Sequence, residues 1–349
     1  MKIKPLEGLG GLEKANAKLH NLIATNQIPG LAITVKKEGS TIFQKGFGYA
    51  DLEHKKRVDP KSTIFRIASV SKPIAATALA HMVKDGLIDL DASFYNYVPY
   101  YPRKKYDFSI RQLAGHTAGI RTYRGKEYAL NKPFSIKEGI SVFKDDDLHF
   151  EPGTDYLYNS YGWSLISLAM QEASGVPFET YVKDNVLQPL KLNHTFPEIE
   201  GQHVKSKAKF YTKNQLGFKE AVTVNNFYKL AGGGFLSTSD DIANFGQAIL
   251  EDQFNNPLVL NQFLQSQNIK GIPTYYGLGW QVSSLPSLGA KYYGHIGNSV
   301  GAYSNFFIFP KERLVCAILT NCSDAKIQQE LDKVLACIIS EHTTKKDGN

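Results

Sequence analysis

The chain predicts an α/β fold in which an antiparallel sheet, built from both chain ends and covered by helices, carries an all-helical domain inserted between those ends. Three observations lead there. Residues up to about Tyr49 read as a strand hairpin, and from Ser69 to about Leu250 apolar residues recur mostly at helical spacing. Beyond Tyr276 the chain returns to short aromatic and β-branched runs separated by turn residues. Strand-rich ends around a helical middle place both ends in one sheet. The approximate division is 1–68 with 210–349 as the sheet domain and 69–209 as the mainly helical one. A chain of 349 residues, 42% of them hydrophobic, can bury a core of that size.

Taken in order, an amphipathic helix runs from Leu12 to Ile23, followed by strands Leu31 to Val35 and Thr41 to Tyr49 around the turn signal "KKEGS". Ile74, Ala75, Ala78, Leu79, Met82 and Val83 then repeat at helical spacing until Gly86 stops them. Further helices are predicted at Ile110 to Ala114, Lys137 to Phe143, Ser160 to Glu172, Pro177 to Val186 and Asp240 to Leu250. The last third reads as strands in "YGLGWQVSS", "KYYGHIG", "GAYSNFFIFP" and "RLVCAILTN", with a closing helix from Asp324 to about Ser340.

Composition excludes several function classes. The apolar runs fall far short of the roughly 20 residues a membrane-spanning helix needs. The N-terminus "MKIKPLEGLGG" lacks the apolar segment of a signal peptide. If such a peptide has been removed, the compartment is periplasmic or secreted, and otherwise cytoplasmic. The net charge is +7, but its clusters (Arg103 to Lys105, Lys205 to Lys209, Lys345 and Lys346) are scattered, without interleaved aromatics or a known nucleic-acid module. A solvated basic surface is therefore expected rather than a nucleic-acid interface. The three cysteines show no metal-ligand spacing and read as free thiols, and no cofactor or metal is called for.

The chemistry centres on serine. Four Ser-x-x-Lys matches occur, at Ser69, Ser141, Ser206 and Ser323. Ser141 lies in a short helical run and Ser206 in a lysine-dense loop, neither beside an apolar wall, and Ser323 reads as the N-cap of the closing helix. Ser69 differs because the helix it opens is apolar on every face for three turns, which requires burial. Lys72, one turn on, shares its face, and burial lowers a lysine's pKa toward a value at which its free amine accepts a serine proton. A helix-capping serine with a snorkelling lysine fits the same residues. Gly297-Asn-Ser299-Val-Gly301 is a literal GxSxG, but a nucleophile elbow needs a helix after its serine, and "AYSNFFIFP" is a strand.

With "SVSK" set beside "YLYNSYGWSLISL", "AGGGFLSTSDDIANFGQAIL", "YGLGWQV" and "GHIGNSVGA" in that order, nearly the whole chain, from about 10 to 340, resembles the serine β-lactamase-related hydrolases of the class C and penicillin-binding-protein group. The branch it resembles most is that of the mitochondrial serine β-lactamase-like protein and its bacterial relatives. The resemblance implies a β-lactamase/transpeptidase-like fold, with Ser69 as acylated nucleophile, Lys72 as proton acceptor and Tyr158 in the same proton network. The family's asparagine two residues after that tyrosine is here Ser160. Its Lys-Thr-Gly strand motif is here His295-Ile-Gly297, replacing a permanent ammonium by a mostly neutral imidazole able to donate to substrate or Tyr158. Gly297 would let the substrate backbone approach, and the Asn298 amide would join that of Ser69 as the oxyanion hole. The implied substrate is a peptide or an ester, with weak or trapped β-lactam reactivity. Two alternatives stay open: a penicillin-binding D,D-peptidase or true β-lactamase, and a mainly structural protein, since the mitochondrial relative forms filaments. A homo-oligomer or filament is thus among the implied partners.

Overall fold

The structure, a computed structural model, describes residues 1–254, 257–323 and 326–343. Its centre is a seven-stranded antiparallel sheet in the order Gln281–Ser284, Lys291–Ser299, Ala302–Phe309, Leu314–Thr320, Gly30–Lys37, Ser40–Asp51, Lys56–Arg57. Strands from the two chain ends meet where Leu31 pairs with Thr320 and Lys37 with Leu314. The hairpin at "KKEGS" closes through Glu38 and Gly39, both at positive φ, the geometry that matches the twist of the flanking strands.

Side-chain alternation divides the core. Phe307, Phe309, Cys316 and Ile318 face the terminal helices Gly11–Ala24 and Gln328–Thr343, which pack on each other through Leu19, Leu331 and Leu335. Phe306, Ile308, Val315, Ala317 and Leu319 point the other way, onto helix Ser239–Leu250 and the helical part of the chain. With both faces covered, the central strands are buried on both sides, the polar Thr34, Ser304, Asn305 and Thr320 included. This is the β-lactamase/transpeptidase-like α/β architecture. For the division of the chain we propose 1–68 with 210–349 as the sheet-bearing part and 69–209 as the helical part, since all seven strands fall in the former.

The principal helices lie where apolar spacing puts them: Gly11–Ala24, Ser71–Lys84, Ile110–Ala114, Tyr161–Ser174 and Ser239–Leu250. Four expectations differ. In "YGLGWQVSS" only Gln281–Ser284 is strand, because Gly279 turns to positive φ and lets Leu278 and Trp280 both enter the core. The closing helix starts at Gln328, and Ser323 does not cap it: its hydroxyl accepts instead from the Gly301 amide. Asp324 lies outside the described residues. The Lys137 to Phe143 run divides into an α turn Ile136–Gly139 and a 3₁₀ turn Ile140–Val142. A hairpin of Tyr211–Asn214 and Gly217–Glu220 occurs in a stretch expected to be mostly helical. Cys316, Cys322 and Cys337 are free thiols. Among the described residues no helix is long and apolar enough to cross a membrane.

Candidate active site

From Thr63 to Ala80 every residue is buried except Ser69. It sits in a 3₁₀ turn, Ala68–Val70, that feeds directly into the buried helix Ser71–Lys84. The preceding residue, Ala68, has φ +49°, a left-handed conformation that costs a non-glycine residue about 1–2 kcal/mol. The surroundings hold it there. Phe65 and Arg66 pair with Ser237 and Leu236, and the Ile67 amide donates to the Phe235 carbonyl at 3.2 Å. The Ile67 carbonyl accepts from the Ser304 hydroxyl at 2.7 Å. Gly297 makes this docking possible. A Cβ there would lie 2.6 Å from the Ile67 carbonyl oxygen and 3.0 Å from the Ala68 Cβ. What fills the space left by its missing side chain is thus the Ser304 hydroxyl together with the segment that carries Ser69, whereas the sequence suggests an approaching substrate.

Lys72 Nζ donates to Ser69 Oγ at 3.1 Å and to the Gly232 carbonyl at 2.7 Å, and lies 4.8 Å from the centre of the Tyr158 ring. Its side chain is wholly buried. Burial disfavours the ammonium, the positive charge of Lys229 adds to the effect, and together they lower the Lys72 pKa to about 7. The Tyr158 hydroxyl donates to Ser69 Oγ at 2.8 Å. Burial raises its pKa, so it stays a protonated phenol at neutral pH. Ser69 Oγ therefore sits between a titratable amine and a phenolic donor, the arrangement that activates a serine for acyl transfer.

The loop presenting Tyr158 is fixed by Asn159, which is buried: its side chain donates to the Leu157 carbonyl at 2.9 Å and accepts from the Gly162 amide at 2.7 Å, closing the first turn of helix Tyr161–Ser174. Ser160 is the cleft-facing residue of that pair, lining the cleft beside Tyr123. A Cβ on Gly232 would meet the Ser160 carbonyl oxygen at 3.1 Å, so the glycine run shapes backbone around the site.

His295 is 1% exposed. Its Nδ1 donates to the Ile296 carbonyl at 2.6 Å, which leaves Nε2 to accept from the Tyr276 hydroxyl at 3.0 Å. Burial, reinforced by the charge of Lys72, lowers its pKa to about 3 and keeps it neutral. Both nitrogens are thus committed to protein partners, and neither donates to Tyr158 or into the cleft as the sequence suggests. With His116 and Tyr276 it forms an aromatic wall behind Tyr158, ring centres 4.5–5.8 Å from that of the tyrosine. Farther along the strand, pairing with Gln281–Ser284 ends at Gly294, and the Ile296 amide donates to the Gln281 side chain on that outer edge. Alternation puts the Asn298 amide on the same edge, and Asn298 lines the cleft with Ser69.

The cleft itself holds about 580 Å³. Among its lining residues are Tyr123, Asn226 and Lys229, together with the Tyr211–Asn214/Gly217–Glu220 hairpin through Thr212 and Lys219, none of which sequence reasoning assigned to the site. Lys229 lies two residues before the family-resembling stretch "AGGGFLSTSDDIANFGQAIL", the only signal that could have found it. The rival Ser299 ends strand Lys291–Ser299, and its buried hydroxyl finds no hydrogen-bond partner, so no side chain is placed to take its proton. Among the described residues one group has metal-ligand proximity, Asp51, Glu53 and His54; it is at the surface and already internally paired, Asp51 with His54 at 2.8 Å and Glu53 with Lys209 at 2.8 Å.

The sequence profile of the beta-lactamase family matches residues 15–337. The human mitochondrial serine beta-lactamase-like protein LACTB is 26% identical over 399 aligned positions, which cover 86% of this chain and 72% of that protein. Among solved structures, the octameric penicillin-binding protein homologue from Pyrococcus abyssi superposes with a TM-score of 0.81 at 23% identity, covering 94% of this chain and 77% of its own. The D-amino acid amidase from Ochrobactrum anthropi gives a TM-score of 0.82 at 19% identity, covering 94% and 99%.

Proposed function

Since the chain belongs to the beta-lactamase family of serine hydrolases, we propose that it hydrolyses a peptide or ester by way of an acyl-enzyme on Ser69. The observation that carries this reading is the position of Ser69 Oγ, 3.1 Å from the Lys72 amine and 2.8 Å from the Tyr158 hydroxyl. Lys72 in its neutral form takes the Ser69 proton as Oγ bonds to the substrate carbonyl carbon. The negative oxygen that develops is held by the amides of Ser69 and Asn298. Tyr158 passes a proton to the departing amine or alcohol and is reprotonated from Lys72. Water then attacks the acyl ester by the reverse proton path and releases the acid.

β-Lactams fit this site less well than simple acyl compounds. Ser160 has a shorter reach than asparagine, and His295 offers no charge to a carboxylate. A penicillin is therefore expected to acylate Ser69 and leave slowly. Mass spectrometry of the Ser69 peptide after a fluorophosphonate and after a penicillin tests this: both adducts are expected, the penicillin one long-lived, and neither in Ser69→Ala. An unlabelled Ser69, or a hydrolytic rate undiminished in Ser69→Ala, would overturn the assignment. A short-lived penicillin adduct would favour a true β-lactamase.

A further inference from the structure

A second lysine lines the same cleft and, beyond its charge acting on Lys72, neither transfers a proton nor touches the reacting atoms in the reaction just described. Lys229 ends the 3₁₀ turn Phe227–Lys229, three residues before the Gly232 carbonyl that receives Lys72. It is 5% exposed, yet it borders the cleft together with Ser69 and Asn298. Its ammonium donates to the Tyr128 carbonyl at 2.7 Å and lies 5.1 Å and 5.5 Å from the ring centres of Tyr123 and Tyr228. An ammonium has three donors, and one carbonyl with two aromatic faces compensates a buried charge only in part.

The nearby carboxylates are spoken for. Glu198 accepts from Arg66 through both oxygens, at 2.7 and 2.9 Å, and also from Lys207 and Asn226. Glu127 is held by Arg121, Tyr161 and the Arg124 amide. Among the described residues Lys229 has no carboxylate within ion-pair distance. A buried cation without a counter-ion is costly, and burial together with the charge of Arg66 pulls its pKa down to about 8. The other cleft lysine, Lys219, stands exposed beside Glu220 on the hairpin, where solvent weakens its pull. His295, at the position of the family's ammonium, is neutral and turned away.

We propose that Lys229 is the anion-recognition residue of the cleft, binding a carboxylate on the substrate while the rings of Tyr123 and Tyr228 hold its ammonium in place. This rests on the acyl-transfer reading above and specifies its substrate class: acyl compounds carrying a free carboxylate within reach of the scissile bond. Two matched pairs test it: p-nitrophenyl hydrogen glutarate against its methyl ester, with the anion on the acyl side, and hippuryl thioglycolate against its methyl ester, with the anion on the leaving side. The acid of at least one pair should be favoured in kcat/KM by about tenfold or more, the scale of a charge-assisted hydrogen bond. Lys229→Met should collapse that acid-to-ester ratio, while Lys229→Arg and Lys219→Met keep it. Taking the ratio within a pair cancels the Ser69 and Lys72 chemistry common to both members, so a merely structural lysine would slow both alike and leave the ratio intact. Equal treatment of acid and ester in both pairs, or a ratio that survives Lys229→Met, overturns the proposal. Calorimetry on Ser69→Ala with both pairs separates the two readings. Carboxylate-dependent binding in either pair, lost on adding Lys229→Met, supports the anion site even if Ser69 fails to label with a fluorophosphonate; binding equal for acid and methyl ester in both pairs sinks it even if Ser69 labels.

Discussion

The Ile67 carbonyl oxygen stands 2.6 Å from where a Cβ on Gly297 would lie, and the Ser304 hydroxyl that donates to it stands closer still. The turn that carries Ser69 is thereby seated closely against the strand that carries the proposed oxyanion amide. Gly297→Ala must push the two apart. Displacements near 1 Å cost on the order of 10²-fold in rate, so kcat on a neutral ester should fall by about that much while the fold persists. Steady-state kinetics beside a thermal melt would check it; near-normal kcat would show that the close approach is dispensable.

The pH profile should carry the signature of Lys72. Only its neutral form can accept the Ser69 proton, and its pKa lies at about 7. As pH rises through 7 the protonated fraction falls, so kcat/KM should climb about tenfold per pH unit below pH 6 and level off above about 8. Lys72→Arg keeps the charge but has no titration in this range and should abolish the rising limb along with most activity.

Tyr158→Phe deletes one hydroxyl while retaining the ring that packs on His116 and Tyr276. A loss of about 10²–10⁴-fold in kcat is expected, the usual contribution of a positioned proton donor, with an unchanged melting temperature. Fluorophosphonate labelling rates measured in parallel would report how much of that loss falls on acylation.

Acid should destabilise the fold through the aromatic wall. His295 titrates at about 3 in the folded chain, against about 6.5 when unfolded, and His116 is likewise held well below its ordinary value by burial. Between those limits the unfolded state binds more protons. The stability His295 contributes is therefore complete above pH 6.5 and lost as pH falls toward 3, at about 1.4 kcal/mol per pH unit, and His116 adds to the loss in the same direction. Denaturant titrations at pH 7.5, 6 and 5 would measure it, and a flat dependence would contradict the placement of both rings.

Arg66 and Glu198, nearly fully buried, pair at 2.7 and 2.9 Å, and Arg66 also donates to the Val300 carbonyl at 2.7 Å in the turn after Ser299. Glu198→Ala leaves the guanidinium buried with Lys207 as its near neighbour. It should lower the unfolding free energy by about 3–5 kcal/mol in equilibrium denaturation.

Much of the architecture was legible because periodicity is a local property. The all-apolar pattern of Ile74 to Val83 meant burial, and the helix is buried on nearly every face; the strand-like runs at both chain ends meant a shared sheet, and Leu31 does pair with Thr320. Where the reading slipped, a single residue had changed the backbone. Gly279 ended a strand that alternation alone would have continued, and Ser323 met the Gly301 amide across a turn instead of capping a helix.

The sequence by itself determined the sheet built from both ends and, by raising Ser69 above three other Ser-x-x-Lys matches, singled out Ser69 and Lys72 as the candidate pair for acyl transfer, because apolar burial and one-turn spacing are written in neighbouring residues. What only the tertiary structure decided depends on residues far apart in the chain. His295 reads as a donor toward substrate until Tyr276, 19 positions away, takes its second nitrogen. Lys229 reads as one basic residue among many until Tyr123, Tyr128 and Tyr228 close around it. Charge and hydrogen-bonding capacity belong to a side chain; whether they are spent on the protein or left for a substrate is settled by what folding brings alongside.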